Sequence, residues 1–393
     1  MIEGRGFVCA DDLLPSYEVS IKTASVDPLQ ILFEVGLNEV NKGNYSAAIA
    51  VFESLSDKTR SPRVQLELAR ALFLDRRYKT AKEVFENVLQ RPDIPWVVKE
   101  NIRRYLKEID SILGFFKFGF SLVSDSNPRN FTDSRQIRIA GQPLYIVPPK
   151  DNKEIFGVRY SVSGARAVVE TGSLMGYLNA SYSDFANSQF DRWGADAGLL
   201  LSFQSWPRLK LRAGLEESYY DQEHLYEFPY LGFLFIPQPA DPFRLNGELK
   251  IGHLRVPNAR YLDATNLSLT TKTSKKVTDK ILTSGDIYLE KSIADEKAYS
   301  YYGGSLGFGL NMSIYKNWQI KPSVSLGGRL YEAEDPFFAE TRRDTRTQLA
   351  LTVKNGNLNI FGFVPEVGVT YDENVSNINF YSYDKIGIVL KFN

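Results

Sequence analysis

With 393 residues and 47 basic side chains balanced by 47 acidic ones, the chain has no charge excess for gripping nucleic acid. A single cysteine, Cys9, excludes a disulfide framework and a multi-cysteine zinc site, and two histidines, His224 and His253, are too few for most histidine metal centres. No run of about 18 apolar residues is present to cross a bilayer as a helix, so a membrane protein of this composition has to be a β-barrel.

Residues 1–27 read as a leader remnant or tag followed by a linker. Ile2-Glu3-Gly4-Arg5 has the form of a protease-recognition tag, and Val8-Cys9-Ala10 before Asp11-Asp12 has the form of the end of a signal peptide. Residues 1–10 carry no weight in the fold. If a leader is removed, the folded chain is free of cysteine.

Residues 28–112 have helical periodicity and an internal repeat. Gly36, Tyr45, Ala48 and Phe52 recur as Ala69, Tyr78, Ala81 and Phe85, each pair 33 residues apart. Small residues at that period let paired helices approach, and the aromatics fill the groove between them. The pattern resembles tetratricopeptide repeats, with an ordinary helical bundle as the plainer alternative. Pro62 and Pro95 mark helix starts. Val98, Ile102, Tyr105 and Ile109 share one face of a further helix over 95–110, which caps the stack. Such helix pairs offer a surface to another protein.

From residue 115 to 393 the period changes to two. Phe116, Phe118, Phe120 and Leu122 oppose Lys117, Gly119 and Ser121. Trp193 to Phe203 alternates against Gly194, Asp196, Gly198, Ser202 and Gln204, with Leu200 as the exception. Phe243, Leu245, Leu249 and Ile251 oppose Arg244, Asn246, Glu248 and Lys250. Tyr302 to Ile314 and Trp318 to Leu330 repeat the pattern. These segments exceed the soluble-strand length of about 5–6 residues and match the roughly 9–11 of a barrel strand crossing a bilayer. Aromatics at the ends of the apolar rows and Gly, Ser and charge on the opposite rows fit a lipid face and a wet lumen. The expected fold is mainly β: a transmembrane antiparallel β-barrel of roughly 14 strands, preceded by a small all-α domain. Loops are expected at Gln142–Glu154, at the Lys-rich 270–280 stretch containing Lys272 to Lys276, and at the Pro-broken Tyr230–Pro242.

Motifs that suggest enzymes lack their context. Gly303-Gly304-Ser305-Leu306-Gly307 spells a nucleophile elbow, but Ser305 sits in a strand pattern running on to Ile314, with no helix to follow. His253 is the nearest base in sequence and nothing ties it to Ser305. Gly304, Gly307 and Gly309 precede no helix N-terminus that would bind phosphate. Glu216 and Glu217 are neighbours in a strand, so they point to opposite faces. No catalytic, cofactor-binding or metal-ligating set emerges, and the chain reads as a non-enzyme.

The last strand, Tyr383 to Asn393, sets Ile386, Ile388, Leu390 and Phe392 against Lys385 and Lys391. Lys385, Gly387, Leu390 and Phe392 have the polar-x-Gly-x-x-hydrophobic-x-aromatic spacing that resembles the assembly signal of outer-membrane barrels, with Asn393 one residue beyond it. Asp125, Ser126 and Asn127 follow the first strand, while Asn374, Ser376, Asn377, Tyr381 and Tyr383 form an Asn-x-Ser-Asn then Tyr-x-Tyr pattern before the last. With the helical repeats ahead of them, these residues resemble the surface lipoprotein assembly modulators, the Slam proteins of Gram-negative outer membranes. The resemblance spans residues 30–393, and the helical part here is short. It implies an outer-membrane protein with its helical domain in the periplasm, promoting translocation and surface display or secretion of a specific client. Implied partners are an exported client lipoprotein or haem- or metal-binding protein, outer-membrane lipid and the barrel-assembly machinery. An outer-membrane solute channel with a helical regulatory domain is the alternative.

Overall fold

A computed structural model describes residues 27–139, 141–203, 205–206, 208–236, 244–314, 317–358 and 364–392. The leader region with Cys9, Gln204, residues 237–243 and Asn393 lie outside the described residues.

Five helices come first: α1 (Pro28–Asn41), α2 (Tyr45–Lys58), α3 (Pro62–Leu74), α4 (Tyr78–Leu89) and α5 (Trp96–Leu113). Asp27 caps α1 by accepting the Leu29 N–H at 2.9 Å, and Pro28 and Pro62 open α1 and α3, where a missing N–H costs nothing. Ala48, Ala69, Ala81 and Phe52 are wholly buried, with Phe85 nearly so. A Cβ at Gly36 would stand 2.6 Å from the Phe52 ring, so α1 and α2 touch through a glycine. The Tyr105 ring stacks on Phe85 at 5.0 Å and Ile102 and Ile109 are buried, so α5 closes the end of this core.

α5 runs into β1 (Gly114–Asp125) without a linker. A closed antiparallel barrel of 14 strands follows: β1, β4 (Ile155–Ala167), β5 (Leu174–Phe185), β6 (Arg192–Ser202), β7 (Leu209–Tyr220), β8 (Glu223–Phe235), β9 (Asn246–Leu254), β10 (Ala264–Thr278), β11 (Ile281–Ala294), β12 (Tyr301–Ser313), β13 (Trp318–Glu334), β14 (Thr341–Asn355), β15 (Pro365–Ser376) and β16 (Tyr383–Phe392). β2 (Gln136–Ile139) and β3 (Gln142–Tyr145) form a separate hairpin in the connection from β1 to β4. The end bearing the helices is called proximal below, and the opposite end distal.

The alternation read from the sequence maps onto the two faces of the wall. Phe116, Phe118, Leu199, Leu249, Ile251, Leu306, Phe308, Leu326, Ile386 and Ile388 are exposed on the outside. Soluble proteins seldom leave such a continuous apolar surface uncovered; a lipid-facing wall requires one. Trp193 and Tyr219 stack at 4.1 Å where that band approaches the distal rim.

Three expected loops are partly strand. Lys272 to Lys276 lie within β10; none of their side chains is apolar, but the backbone is paired on both sides up to Lys272 and to β11 beyond it. Tyr230–Phe235 belong to β8, because proline interrupts the pattern only after Ile236. Gln142–Tyr145 form β3, whose partner Gln136–Ile139 was too short to stand out by periodicity.

Candidate functional site: the barrel seam and the distal turns

The residues singled out at the two ends of the barrel sequence meet in space. β1 pairs with β4 along twelve residues, Gly114 to Asp125, but with β16 over only four: Phe120–Phe392, Ser121–Lys391, Leu122–Leu390 and Val123–Val389. It is the shortest ladder of the barrel among the described residues. On the outside, Phe120 and Phe392 stack at 4.8 Å.

Distal to Val123, side chains take over from backbone pairing. Ser124 Oγ accepts the Ile388 N–H at 3.1 Å, and Ser126 Oγ accepts the Ile386 N–H at 2.8 Å. The Ser126 N–H donates to the Ile386 carbonyl at 3.0 Å. Asn127 donates to the carbonyls of Phe131 and Asp384 and accepts from Asn152 and the Phe131 N–H, while Asp125 accepts the Asn127 N–H. Lys385 reaches Asn130 at 2.9 Å and Asp125 at 3.8 Å. Gly387 is needed for closeness: a Cβ there would lie 2.8 Å from Thr370 Oγ1 and 3.1 Å from the Ser124 carbonyl. Asp125-Ser126-Asn127 and Lys385-x-Gly387 are therefore two halves of one closure.

The second motif builds a distal turn. Asn374 donates to the Tyr381 carbonyl, Ser376 N–H donates to Ser382 Oγ, and Ser376 Oγ accepts the Ile378 N–H. Asn377 accepts the Arg343 N–H at 2.6 Å and donates to Glu340 and the Thr341 carbonyl, tying this turn to its neighbour. Tyr381 donates to Asp335 at 2.7 Å beneath the Arg342 guanidinium, 3.6 Å from its ring. Tyr383 opens β16, with the Lys385 ammonium 5.9 Å from its ring.

The same turn recurs around the distal rim, which sequence reading missed. After each short 3-10 turn, at Ser188–Phe190, Arg260–Leu262, Lys297–Tyr299 and Asn379–Tyr381, one side-chain oxygen reaches back to the end of the preceding strand. Asp191 accepts the Phe185 N–H at 2.8 Å, Asp263 the Val256 N–H at 2.7 Å, Ser300 the Ala294 N–H at 2.9 Å and Ser382 the Ser376 N–H at 2.9 Å. The signal is faint: Asp or Ser just after a bulky apolar residue, Phe190, Leu262, Tyr299 or Tyr381, and at the start of a strand. The Val256 N–H and Arg260 hold the Asp263 carboxyl below the usual range. Phe190 turns inward and is fully buried beside Val123, Ile155 and Phe185, with the Arg129 guanidinium 5.2 Å from its ring. Arg129 also pairs with Asp151 at 2.6 Å, which lowers that carboxyl and ties together two parts of the β1–β4 connection.

Residues 243–393 match the family model for surface lipoprotein assembly modifiers. That stretch takes in strands β9 to β16. The match takes in β16 and the Asn374–Tyr383 turn, and leaves the helices and β1 to β8 outside it. No curated protein matches the chain. Similar solved structures include the outer-membrane channel DcaP of Acinetobacter baumannii, at 10% identity over 72% of this chain and 98% of that one, with a TM-score of 0.38. A BenF-like porin from Pseudomonas fluorescens Pf-5 is 9% identical over 71% and 97%, with a TM-score of 0.39. A loop-deletion mutant of OmpT, an outer membrane protein of Vibrio cholerae, is 10% identical over 71% and 99%, with a TM-score of 0.37. The closed barrel with its apolar exterior and the family match place this barrel in the outer membrane.

The lumen of the barrel is polar and largely self-paired. Arg346 grips Asp372 with two bonds of 2.8 and 2.6 Å, Lys321 reaches Glu366 at 2.9 Å, and Glu216 accepts from Tyr226 and Lys250. A cavity of about 440 Å3 runs along the seam wall, lined by Ser124, Asp125, Asp286, Gly307, Ser323 and Lys385 among others. Ser305 lies in mid-strand in β12 on the same Gly- and Ser-rich face, far from the turn a nucleophile elbow needs. Among the described residues no group of His, Cys, Asp and Glu is arranged to hold a metal ion.

The helices are fixed to the proximal rim of the wall. The Thr80 N–H and hydroxyl both donate to the Glu170 carboxylate in the β4–β5 turn, lowering its pKa. Lys82 bridges α4 to Asp110 of α5 at 2.7 Å, and that bond raises the pKa of its ammonium.

Proposed function

We propose that this protein promotes the translocation of a specific exported client, a surface lipoprotein or a haem- or metal-acquisition protein, across the outer membrane for display or release. The match of β9 to β16 to the surface lipoprotein assembly modifiers carries this reading. The direct fusion of a helical module to the first strand supports it, because the module sits where a client would approach the barrel.

The helical module lies in the periplasm. Both ends of the barrel's strand order, the start of β1 and the end of β16, are at the proximal rim, and the longest connection, 126–154, is at the distal rim. A longest connection at the distal rim fits an extracellular loop there. The tetratricopeptide-like helix pairs engage the client, and the barrel offers the path. The chain's own chemistry is binding rather than catalysis. Lys385, Gly387, Leu390 and Phe392 act as the signal read by the barrel-assembly machinery, and the apolar exterior is sealed by outer-membrane lipid.

Deleting the gene and comparing proteins released from intact cells by protease tests the reading. Loss of one or a few lipoproteins or haem-binding proteins from the surface, restored by the wild-type gene, is expected. An unchanged surface inventory with altered uptake of small solutes would instead make the barrel a solute channel.

A further inference from the structure

Where the helical module meets the barrel, the two surfaces leave a cavity of about 880 Å3, within the size range of small-molecule sites. It lies on the β4 side of β1, and among the described residues none of β16 lines it. Two contacts fix the helices over the wall here. Thr80 of α4 donates to Glu170 in the β4–β5 turn. Ile112 of α5 packs on Gly172 of the same turn, where a Cβ would stand 2.9 Å from its methyl group. One side of the cavity is a single face of α4, with Lys79, Lys82, Glu83 and Glu86 at helical spacing and Asp110 of α5 beside them. The other side is the outer wall of β1, β4 and β5.

The strand register sets the wall side in two rows. Nearer the proximal rim, Arg166 and Gly176 are neighbours, and one repeat deeper on the same face Phe116, Gly164 and Leu178 stand side by side across three strands. A glycine in each row cuts a notch between larger side chains. A Cβ on Gly176 would meet nothing closer than Val168 at 4.0 Å, so the notch is open space that a larger side chain would fill. Farther from the rim the face runs on as Phe118, Val162 and Ala180, so an apolar chain can leave the cavity along apolar surface. The charges divide in the same way. Lys82 is taken up by Asp110 at 2.7 Å and Glu86 at 3.7 Å. Arg166 and Glu83, of opposite sign, make no ion pair among the described residues. The cavity therefore offers an apolar notch, one open cation and one open anion.

We propose that this cavity binds one zwitterionic glycerophospholipid from the leaflet on the module's side. Its phosphate lies on Arg166, its ammonium on Glu83, and the upper part of an acyl chain in the notch between Phe116 and Leu178. Arginine suits the phosphate because its planar fork of donors matches phosphate oxygens. An anionic headgroup would face Glu83 with no cation of its own to offset it, and a diacylglycerol would use neither charge. The lipid fills the gap that the protein leaves between α4 and the wall, and so ties the module to the membrane surface. The site rests on the outer-membrane location and not on client translocation.

The test uses the full chain purified in detergent, with native mass spectrometry to count the lipids that stay bound. Palmitoyl-oleoyl phosphatidylethanolamine is the probe, and phosphatidylglycerol with the same chains is the comparison. Heat-modifiable gel migration checks that each variant is a closed barrel. One phosphatidylethanolamine is expected to be retained, in preference to phosphatidylglycerol by about two- to fivefold, the worth of an exposed ion pair. Gly176→Leu, which fills the notch, is expected to lose it. Thr271→Leu, which adds the same side chain beside Ile287 on the outer wall away from the helices, is expected to keep it. Arg166→Gln is expected to weaken both lipids about tenfold, and Glu83→Gln to abolish only the preference between them. No retained lipid, equal retention in Gly176→Leu, or no headgroup preference in the unaltered chain overturns the proposal. So does tighter retention of a tripalmitoylated cysteine peptide than of phosphatidylethanolamine, lost in Gly176→Leu, which would assign the cavity to the anchor of a lipoprotein client. None of these readouts uses client display, so the site and the client function fail separately.

Discussion

Ser124 and Ser126 hold the distal half of the seam, and replacing both by alanine isolates their contribution. Each hydroxyl accepts an N–H of β16, from Ile388 at 3.1 Å and Ile386 at 2.8 Å. Orphaning one such donor costs about 1–3 kcal/mol, so the double variant is expected to lose about 2–6 kcal/mol if water does not reach either group. The Ser126 N–H to Ile386 carbonyl bond survives the change, as do the four ladder pairs. The loss falls on a closure with little redundancy. Thermal unfolding followed by heat-modifiable migration is expected to show a lowered midpoint, and amide exchange at Ile386 and Ile388 is expected to quicken. Ser161→Ala is the control: its hydroxyl only donates to the Gly119 carbonyl at 3.3 Å, within the twelve-pair β1–β4 ladder, and a change within about 0.5 kcal/mol is expected. A double variant that melts with the parent and keeps both amides protected would refute the serine closure.

Phe392→Ala and Gly387→Asp are expected to lower outer-membrane levels more than Asn393→Ala, as read on fractionated membranes. The first forfeits the stack on Phe120, about 0.5–1.5 kcal/mol beyond its area, and the second drives a side chain into Thr370 and the Ser124 carbonyl. Phe52→Ala is expected to destabilise the helical module by about 3–5 kcal/mol while leaving the barrel heat-modifiable, as measured by limited proteolysis of the module. Glu170 has its carboxyl held below its ordinary 4.5 by Thr80, so this contact is fully present above that value and is lost as pH falls through the lower folded value. Amide exchange at Thr80, whose N–H donates to Glu170, is expected to quicken over that acid range, and Glu170→Gln is expected to remove the pH dependence.

Much of the barrel was legible because its physics is periodic. Each strand separates lipid from a wet lumen, so Phe116, Phe118 and Phe120 announce β1, and Ile386 and Ile388 announce β16. The motif residues at both ends were legible as a pattern, but not as a contact: nothing in the sequence says that Ser126 meets Ile386, because closure joins residues some 260 positions apart. The Lys-rich part of β10 was read as loop because its side chains carry no apolar alternation, and only backbone pairing makes it strand. The distal turns escaped because their shared feature is a single Asp or Ser oxygen after differing residues, and hydrogen bonds of that kind have no period.

The central claim is tested most directly with proteoliposomes of the purified protein, using the client identified from the deletion strain and added on the face that carries the helical module. The client is expected to become protected from external protease only in vesicles containing this protein, and less so when Phe52→Ala disrupts the module. Equal protection in vesicles with and without the protein would contradict it.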